Sequence, residues 1–279
     1  MSAWAVLGSG PGGLAIAAEL SEQGHEVVLA DLPGFSHQLE AVRQTGGVVI
    51  DSNWSGDATR TVAVADSIAA AVSDAQVVVV SVPAVAHHQF AEATIPHLRR
   101  DATMLFVGEG GGSLVVWPEL QRARRGDVIL GETNCLPYMA RLTSPGQVLA
   151  NRKRGGVLVA AMPADRNAEL FALAASLWPY AEAAETVWET VLINYDAIDS
   201  VPVAITSAAK LEGRMGGALF WGEGATPGVV RLIEALDQEL STLRLALGHA
   251  DRRRYRDFLI AQGLAPDAGD LYRVMRAGG

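Results

Sequence analysis

The spacing of apolar positions changes character about halfway along the chain. Up to residue 132, short apolar runs alternate with stretches of helical period. AWAVLG (3–8), EVVLAD (26–31), VVVVSVP (77–83), TMLFVG (103–108) and DVILGE (127–132) read as strands. Between them lie an Ala/Leu-rich helix to about Gln23, a helix over 35–44, one from His87 to Arg99 and one near Leu114 to Arg124. The valine run lacks polar alternation, as expected of a strand buried on both faces. Strand and helix in this rhythm predict a doubly wound parallel sheet.

The second half is mostly helical. GGVLVAAMP (155–163) reads as a strand, and a helix follows with Asp165 as its expected N-cap. Thr226-Pro227 is a helix start, with Thr as cap and Pro in the first turn. Val229, Ile233, Leu236, Leu240, Leu243 and Leu247 then form a narrow apolar seam, suited to core packing or a dimer contact. The expected organisation is a sheet domain over 1–160 and a smaller, mostly α-helical domain over 161–279. The boundary is bracketed by Asn151 and Glu185.

The chain has 279 residues, 49% of them apolar and 19% charged, enough to bury a core in one large or two modest domains. A formal charge of -9 disfavours nucleic acid and anionic membrane as partners, since both reward clustered cations. The basic run Arg252, Arg253, Arg254 and Arg256 is expected to be a solvated face. Cys135 is the only cysteine, which fits a reducing compartment. MSAWAVLGSG lacks the layout of a signal peptide, and no window is apolar enough to span a membrane. The expectation is a soluble cytoplasmic protein. No Cys/His cluster has metal-ligand spacing, so no metal is expected.

Gly8-Ser9-Gly10-Pro11-Gly12-Gly13 joins the first strand to the first helix. In such a turn the first glycine allows the bend and the second lets backbone approach a pyrophosphate. The third lets helix and strand close up, and the helix N-terminus receives the anion. The strand–turn–helix context makes this a dinucleotide site on a Rossmann-type sheet. Asp31 ends the second strand, 18 residues after Gly13, where a carboxylate holds the ribose of NAD and repels the 2′-phosphate of NADP. LeuProGly follows it without a basic residue, so NAD is favoured over NADP.

Several segments together resemble the opine dehydrogenase (octopine/nopaline dehydrogenase) family. SVPAVAHHQFAE (81–92) is similar to a Pro-Ala-x-x-His segment beside the cofactor, which implies Val82, Pro83 and His87 as contacts. GETNCLPYMAR (131–141) is similar to a Glu-Thr-x-x-Leu-Pro-Tyr-x-x-Arg signature, which brings in Glu132. LINYDAIDSVP (192–202) falls where the family carries Asn-x-Asn-x-x-x-His-x-Pro, and 222–248 resembles its Thr-Pro helix. The resemblance implies an NAD(P)H enzyme that condenses an amino acid with a 2-oxo acid and reduces the resulting imine.

Two departures stand out. Aligned on Asn194 and Pro202, the family's catalytic histidine falls on Ser200, with Asp199 before it and Asp196 in place of an asparagine. The family also continues beyond LYRVMRAGG with the acidic partner of that histidine and with basic groups for substrate carboxylates. A preformed imine, already activated, needs a weaker acid. Asp199 or Asp196 is therefore the expected proton donor or ammonium anchor, with Asn194 and Ser200 beside it. Of His87 and His88, one faces the cofactor or both serve as cap and surface. Arg141 binds a carboxylate or pins a domain junction.

Three functions remain open at this level: an imine reductase, a ketopantoate reductase-like reductase of a 2-oxo acid with Lys210 as acid, and a dinucleotide-binding protein without catalysis. Small-molecule substrates and a homodimer are the expected partners.

Overall fold

The structure, a computed structural model, describes residues 2–108, 110–212, 221–249 and 253–278; the side chains of Lys210 and Leu211 lie outside that description. The chain forms two compact units. One comprises residues 1–152 and 157–191, the other residues 153–156 and 192–279.

The first unit follows the order β1 (Ala3–Leu7), α1 (Pro11–Glu22), β2 (Glu26–Ala30), α2 (Ser36–Thr45), β3 (Gly47–Ser52), β4 (Ala58–Thr61) and β5 (Ala63–Val64). There follow α3 (Ile68–Val72), β6 (Val77–Val80), α4 (His87–Thr94), β7 (Thr103–Phe106), α5 (Gly112–Arg122) and β8 (Ile129–Thr133). It is completed by β9 (Tyr138–Ser144), β10 (Gln147–Arg152), β11 (Val157–Met162), α6 (Asn167–Leu177), β12 (Ala181–Ala183) and α7 (Val187–Leu192), whose last residue begins the second unit. Eight strands make one sheet in the order β12-β11-β8-β7-β6-β1-β2-β5, and every pair is parallel except β8 with β11.

Side-chain alternation explains why these strands are apolar throughout. Trp4, Val6, Val77, Val79 and Leu105 enter a core on one face. Ala5, Leu7, Val78, Val80, Met104 and Phe106 enter a second core on the other, with Phe90 and Ala91 of α4 and Val116 and Leu120 of α5. Burial on both faces leaves no position for a polar side chain. The sheet unit runs past residue 160 to residue 191, because β11 pairs with β8 and then carries β12 onto its own free edge.

A second sheet, β4-β3-β10-β9, was not apparent in the sequence. Its Val48, Ile50, Val148 and Ala150 join the same core as Leu14, Ile16 and Leu20 of α1. The helix is thereby covered on two sides, which accounts for its Ala/Leu-rich composition. Glu19 on α1 is the charged exception. Its carboxylate is buried and accepts hydrogen bonds from the Tyr138 hydroxyl of β9 and the Arg152 guanidinium of β10. Trp178 Nε1 donates to the Tyr138 oxygen at 2.8 Å.

Asp165 is not a cap. It lies in a short 3-10 turn over 164–166, and α6 begins at Asn167. Asn167 spends its side chain on Ala161 N, at 2.6 Å, and on the carbonyls of Ala184 and Glu185.

The second unit contains α8 (Asp196–Thr206), α9 (Ala208–Glu212), α10 (Pro227–Ala246), α11 (Tyr255–Ala261) and α12 (Leu271–Gly278). Thr226 caps α10 as expected, accepting from Val229 N at 3.4 Å. The expected seam holds only at its start. Val229 and Ile233 are buried, whereas Leu243 and Leu247 are about half exposed. The buried stripe continues through Asp237 and Arg244 instead. A straight helix advances 3.6 residues per turn, so a 3.5-residue seam drifts off its face by about 20° per heptad. Arg252 of the basic run lies outside the described residues. Arg254 is paired with Asp237, and Arg256 with Asp257 and Asp267, so these cations are neutralised locally.

Candidate functional site

The glycine turn is built as the sequence suggests. Gly8 has φ +104°, and a Cβ there would lie 2.3 Å from the Ser81 carbonyl oxygen. A Cβ on Gly13 would lie 1.8 Å from the Gly8 oxygen, so β1 and α1 can close up only on glycine. Gly10 differs: a Cβ there would meet no protein atom within 4 Å. Gly10 is also the N-cap of α1, where no side chain caps the helix, and Pro11 occupies the first position. The N–H groups of the first turn therefore face outward without a protein acceptor from a capping side chain.

Asp31 reaches back to this turn. Its Oδ2 accepts from Ser9 N and Ser9 Oγ, both at 2.6 Å, and its Oδ1 accepts from Leu32 N at 2.7 Å. Val82 follows β6 and packs on the glycine turn, since its Cγ1 would stand 2.6 Å from a Cβ on Gly8. Pro83 is exposed beside it.

The two histidines separate clearly. His87 is buried with its ring edge-on to Phe106 at 4.9 Å, and its Nδ1 has no hydrogen-bond partner among the described residues. Burial lowers its proton affinity, opposed by a hydrogen bond to the Val82 backbone. His88 is exposed and pairs with Glu119 of α5 and Glu92, so it ties two helices together. Arg141 is exposed on β9.

Glu132 is committed to the protein itself. Its Oε2 accepts from Ser113 N at 2.9 Å and Ser113 Oγ at 2.5 Å, and Oε1 accepts from Thr190 Oγ1 at 2.6 Å. The carboxylate occupies the first turn of α5, where the helix dipole favours negative charge. Burial raises its proton affinity, and the Ser113 and Thr190 bonds oppose the shift. It stands as the internal cap of α5, a role that the sequence motif alone did not distinguish from cofactor contact. Asn134 likewise closes β8 onto β11, its Oδ1 accepting from Leu158 N at 2.8 Å.

In the helical unit the 194–200 residues have distinct fates. Asn194 Oδ1 accepts from Asp196 N at 3.1 Å and so caps the start of α8. Asp196 is exposed. Asp199 is 4% exposed and sits in the first turns of α8. Its Oδ1 accepts from Ser200 Oγ at 2.9 Å, and its Oδ2 accepts from the Tyr255 hydroxyl. Burial raises Asp199 above the usual carboxylate range. The Tyr255 and Ser200 hydrogen bonds work against that shift, and the Asp196 charge adds to it. Lys210 falls on α9, its side chain outside the described residues.

Tyr255 was not singled out in the sequence. It stands 56 residues from Asp199, inside the basic run, with no local signal to join the two. It packs on Tyr195 at 5.3 Å, and Tyr195 donates to the Arg253 carbonyl at 2.8 Å. The buried Arg244 supports this group, donating to the Leu192 carbonyl at 3.1 Å and the Arg253 carbonyl at 2.7 Å. Among the described residues no group of acidic, histidine or cysteine side chains could hold a metal ion. No described helix is long and apolar enough to cross a membrane.

Comparison with known proteins bears on the fold and the family. Opine dehydrogenase from Arthrobacter sp. (strain 1C) is 29% identical over 251 residues, covering 88% of this chain and 67% of that protein. An octopine dehydrogenase solved with NADH and agmatine superposes with a TM-score of 0.76 at 16% identity, over 99% of this chain and 74% of that one. A yersinopine dehydrogenase with NADP+ bound gives 0.79 at 16% identity, over 99% and 71%. These likenesses bear out the α/β fold with a helical C-terminal region. The profile of the ketopantoate reductase PanE/ApbA family matches residues 4–162. The chain, similar to opine dehydrogenase along most of its length, thus belongs to the ketopantoate reductase PanE/ApbA family.

Proposed function

We propose that this protein is an NAD(P)H-dependent reductase of a C=N bond, formed from an amine or amino acid and a 2-oxo acid or supplied preformed. The glycine turn supports the cofactor half. Gly8 and Gly13 are demanded by internal contacts, but Gly10 is not, and its open face above an uncapped helix N-terminus fits a pyrophosphate. Ser9, Gly10, Pro11 and Gly12 would line that anion, with Val82, Pro83 and His87 following β6 along the same sheet edge. NAD is placed ahead of NADP because the Asp31 carboxylate at the end of β2 repels a 2′-phosphate. One relative binds NADH and another NADP+, so the preference rests on Asp31. When bound, the dihydronicotinamide supplies a hydride to the unsaturated carbon.

The observation that carries the substrate half is the buried Asp199 carboxyl, hydrogen-bonded to Ser200 at the position aligned with the family's catalytic histidine. Burial raises the proton affinity of Asp199, the direction a general acid requires, against the opposing Tyr255 and Ser200 hydrogen bonds. The exposed Asp196 beside it offers a counter-charge for an ammonium group.

The family match favours a second reading, reduction of a 2-oxo acid carbonyl with Lys210 as the acid. Steady-state oxidation of NADH and NADPH, with an amine plus 2-oxo acid panel and with 2-oxo acids alone, separates the two. Under the imine reading D199N lowers kcat by about 10²–10⁴ and K210A leaves it unchanged. The reverse pattern assigns the carbonyl reaction. No turnover of either class by a protein that binds the dinucleotide would overturn both.

A further inference from the structure

Three polar groups of the helical unit form a chain graded in exposure. The Tyr255 hydroxyl lies on a residue 1% exposed, Asp199 on one 4% exposed, and Ser200 is half-buried. Tyr255 donates to Oδ2 of Asp199, and Ser200 meets Oδ1 at 2.9 Å. We infer that Tyr255 is a positioning residue whose phenol occupies Oδ2. The exchangeable proton of Asp199 is thereby confined to Oδ1, and the Ser200 hydroxyl is the group that passes it to substrate. The inference rests on the reductase reading of Asp199 proposed above.

The argument is one of donors and acceptors. A phenol has a single hydrogen, and here it is directed at Oδ2. Burial and the neighbouring Asp199 charge hold Tyr255 well above its ordinary range, so it remains a donor throughout. A carboxyl oxygen already accepting that hydrogen is the poorer place for a second one. The proton taken up by Asp199 therefore sits on Oδ1, which the Ser200 hydroxyl meets at 2.9 Å. That hydroxyl can donate to the carboxylate and accept from the acid. The surrounding charges are Asp196 on the same helix, which acts on both Asp199 and Tyr255, and Asp237 of α10, which acts on Tyr255 and is paired with Arg254. Arg244 reaches this group through Tyr195, donating to its hydroxyl at 3.2 Å.

The proton balance closes on these groups. After hydride addition to the imine carbon, the electron pair of the C=N bond rests on nitrogen. That nitrogen takes the hydrogen of Ser200 Oγ, and Oγ takes the hydrogen of Asp199 Oδ1. Asp199 is left as a carboxylate, with Tyr255 still donating to Oδ2, until solvent returns the proton.

The test needs no substrate in its first arm. In protein labelled with 13C at aspartate Cγ, the Asp199 resonance is identified by its loss in D199N and followed against pH. Tyr255→Phe removes a hydrogen bond to the charged form, so the Asp199 midpoint should rise by about one pH unit. In the second arm, Y255F should lower kcat with KM and dinucleotide affinity unchanged, and its basic limb should move up by the same amount. Ser200→Ala should lower kcat as far as D199N does. An unmoved midpoint in folded Y255F overturns the role of Tyr255, and full kcat in S200A overturns that of Ser200. A wild-type protein that reduces no imine, while the midpoint still moves, overturns the reductase reading and with it the role of Ser200. It would support the hold of Tyr255 on Asp199.

Discussion

Adding one methyl at Gly10 should separate dinucleotide binding from folding. Gly10 has φ -71° and ψ 179°, a backbone conformation alanine adopts freely. A Cβ there would meet no protein atom within 4 Å. Restricting the unfolded chain would stabilise Gly10→Ala by about 0.4–1 kcal/mol. Alanine is a worse N-cap than glycine by a comparable amount, so the two effects offset and free-protein stability should stay within about 0.5 kcal/mol. Binding is different, because the methyl occupies the space assigned to the pyrophosphate. Overpacking of about 1–3 kcal/mol corresponds to roughly 5–150-fold weaker affinity.

Urea unfolding of free protein and titration with NADH and NADPH measure the two quantities separately. At a ligand concentration of 100 times the wild-type Kd, wild type gains about 2.7 kcal/mol from binding. A variant about 30-fold weaker gains only about 0.9 kcal/mol at the same concentration. Gly13→Ala supplies the contrast. Its Cβ would stand 1.8 Å from the Gly8 oxygen, so α1 must move off β1 and free-protein stability should fall by about 3 kcal/mol or more. Wild-type affinity in G10A would refute the placement of the anion at that open face. Destabilisation of G10A to the level of G13A would refute the claim that the face is open.

Two further outcomes follow from the side chains of the sheet unit. Glu132→Gln should change stability by less than about 1 kcal/mol. Its amide oxygen can still accept from Ser113, and its NH2 can donate to Thr190 Oγ1 while that hydroxyl keeps the Val187 carbonyl. Glu132→Ala strands the Ser113 N–H and hydroxyl in the interior and should cost about 2–4 kcal/mol by urea unfolding. Asp127 is held at about 2 by the Arg125 guanidinium, which donates to both of its oxygens at 2.9 Å. Its folded value lies below the unfolded 3.8, so its stabilisation is complete above about pH 4 and is lost as pH falls toward 2. The pair is partly exposed, so Asp127→Asn should cost about 1 kcal/mol at pH 7, and the difference should vanish in unfolding curves taken near pH 2.

The legible part of the fold is the part whose residues face the same environment on both sides. Val77 to Val80 are buried on two faces, so neither register nor partner affects their reading. The second sheet offers no such redundancy. β9 is an edge strand that is exposed from Arg141 onward, and β10 pairs with β3 about a hundred residues away. Pro145-Gly146, with Gly146 at φ +70°, is the one local signal that could have announced the β9–β10 hairpin. The seam of α10 was legible as apolar spacing but not as burial. Asp237 and Arg244 are buried through partners on other elements, and spacing carries no record of partners.

The same limit decides how much of the candidate site the sequence could reveal. The glycine turn is a local device: its requirements at Gly8 and Gly13 are contacts with Ser81 and with its own backbone, and a short motif states them. Carboxylates have no such signature. Glu132 and Asp199 are both buried, both raised by burial, and both hydrogen-bonded to a serine hydroxyl. What separates them is the far end of the hydrogen-bond chain. Ser113 and Thr190 are buried with their acceptor Glu132, so that chain ends inside the protein and cannot exchange a proton with a ligand. Ser200 is half-buried, so the Tyr255–Asp199–Ser200 chain has an accessible end. A residue that replaces a histidine in proton transfer needs a route for the proton as well as a suitable affinity for it. Of these two carboxylates, Asp199 is the one whose neighbouring hydroxyl is accessible enough for the role proposed for it.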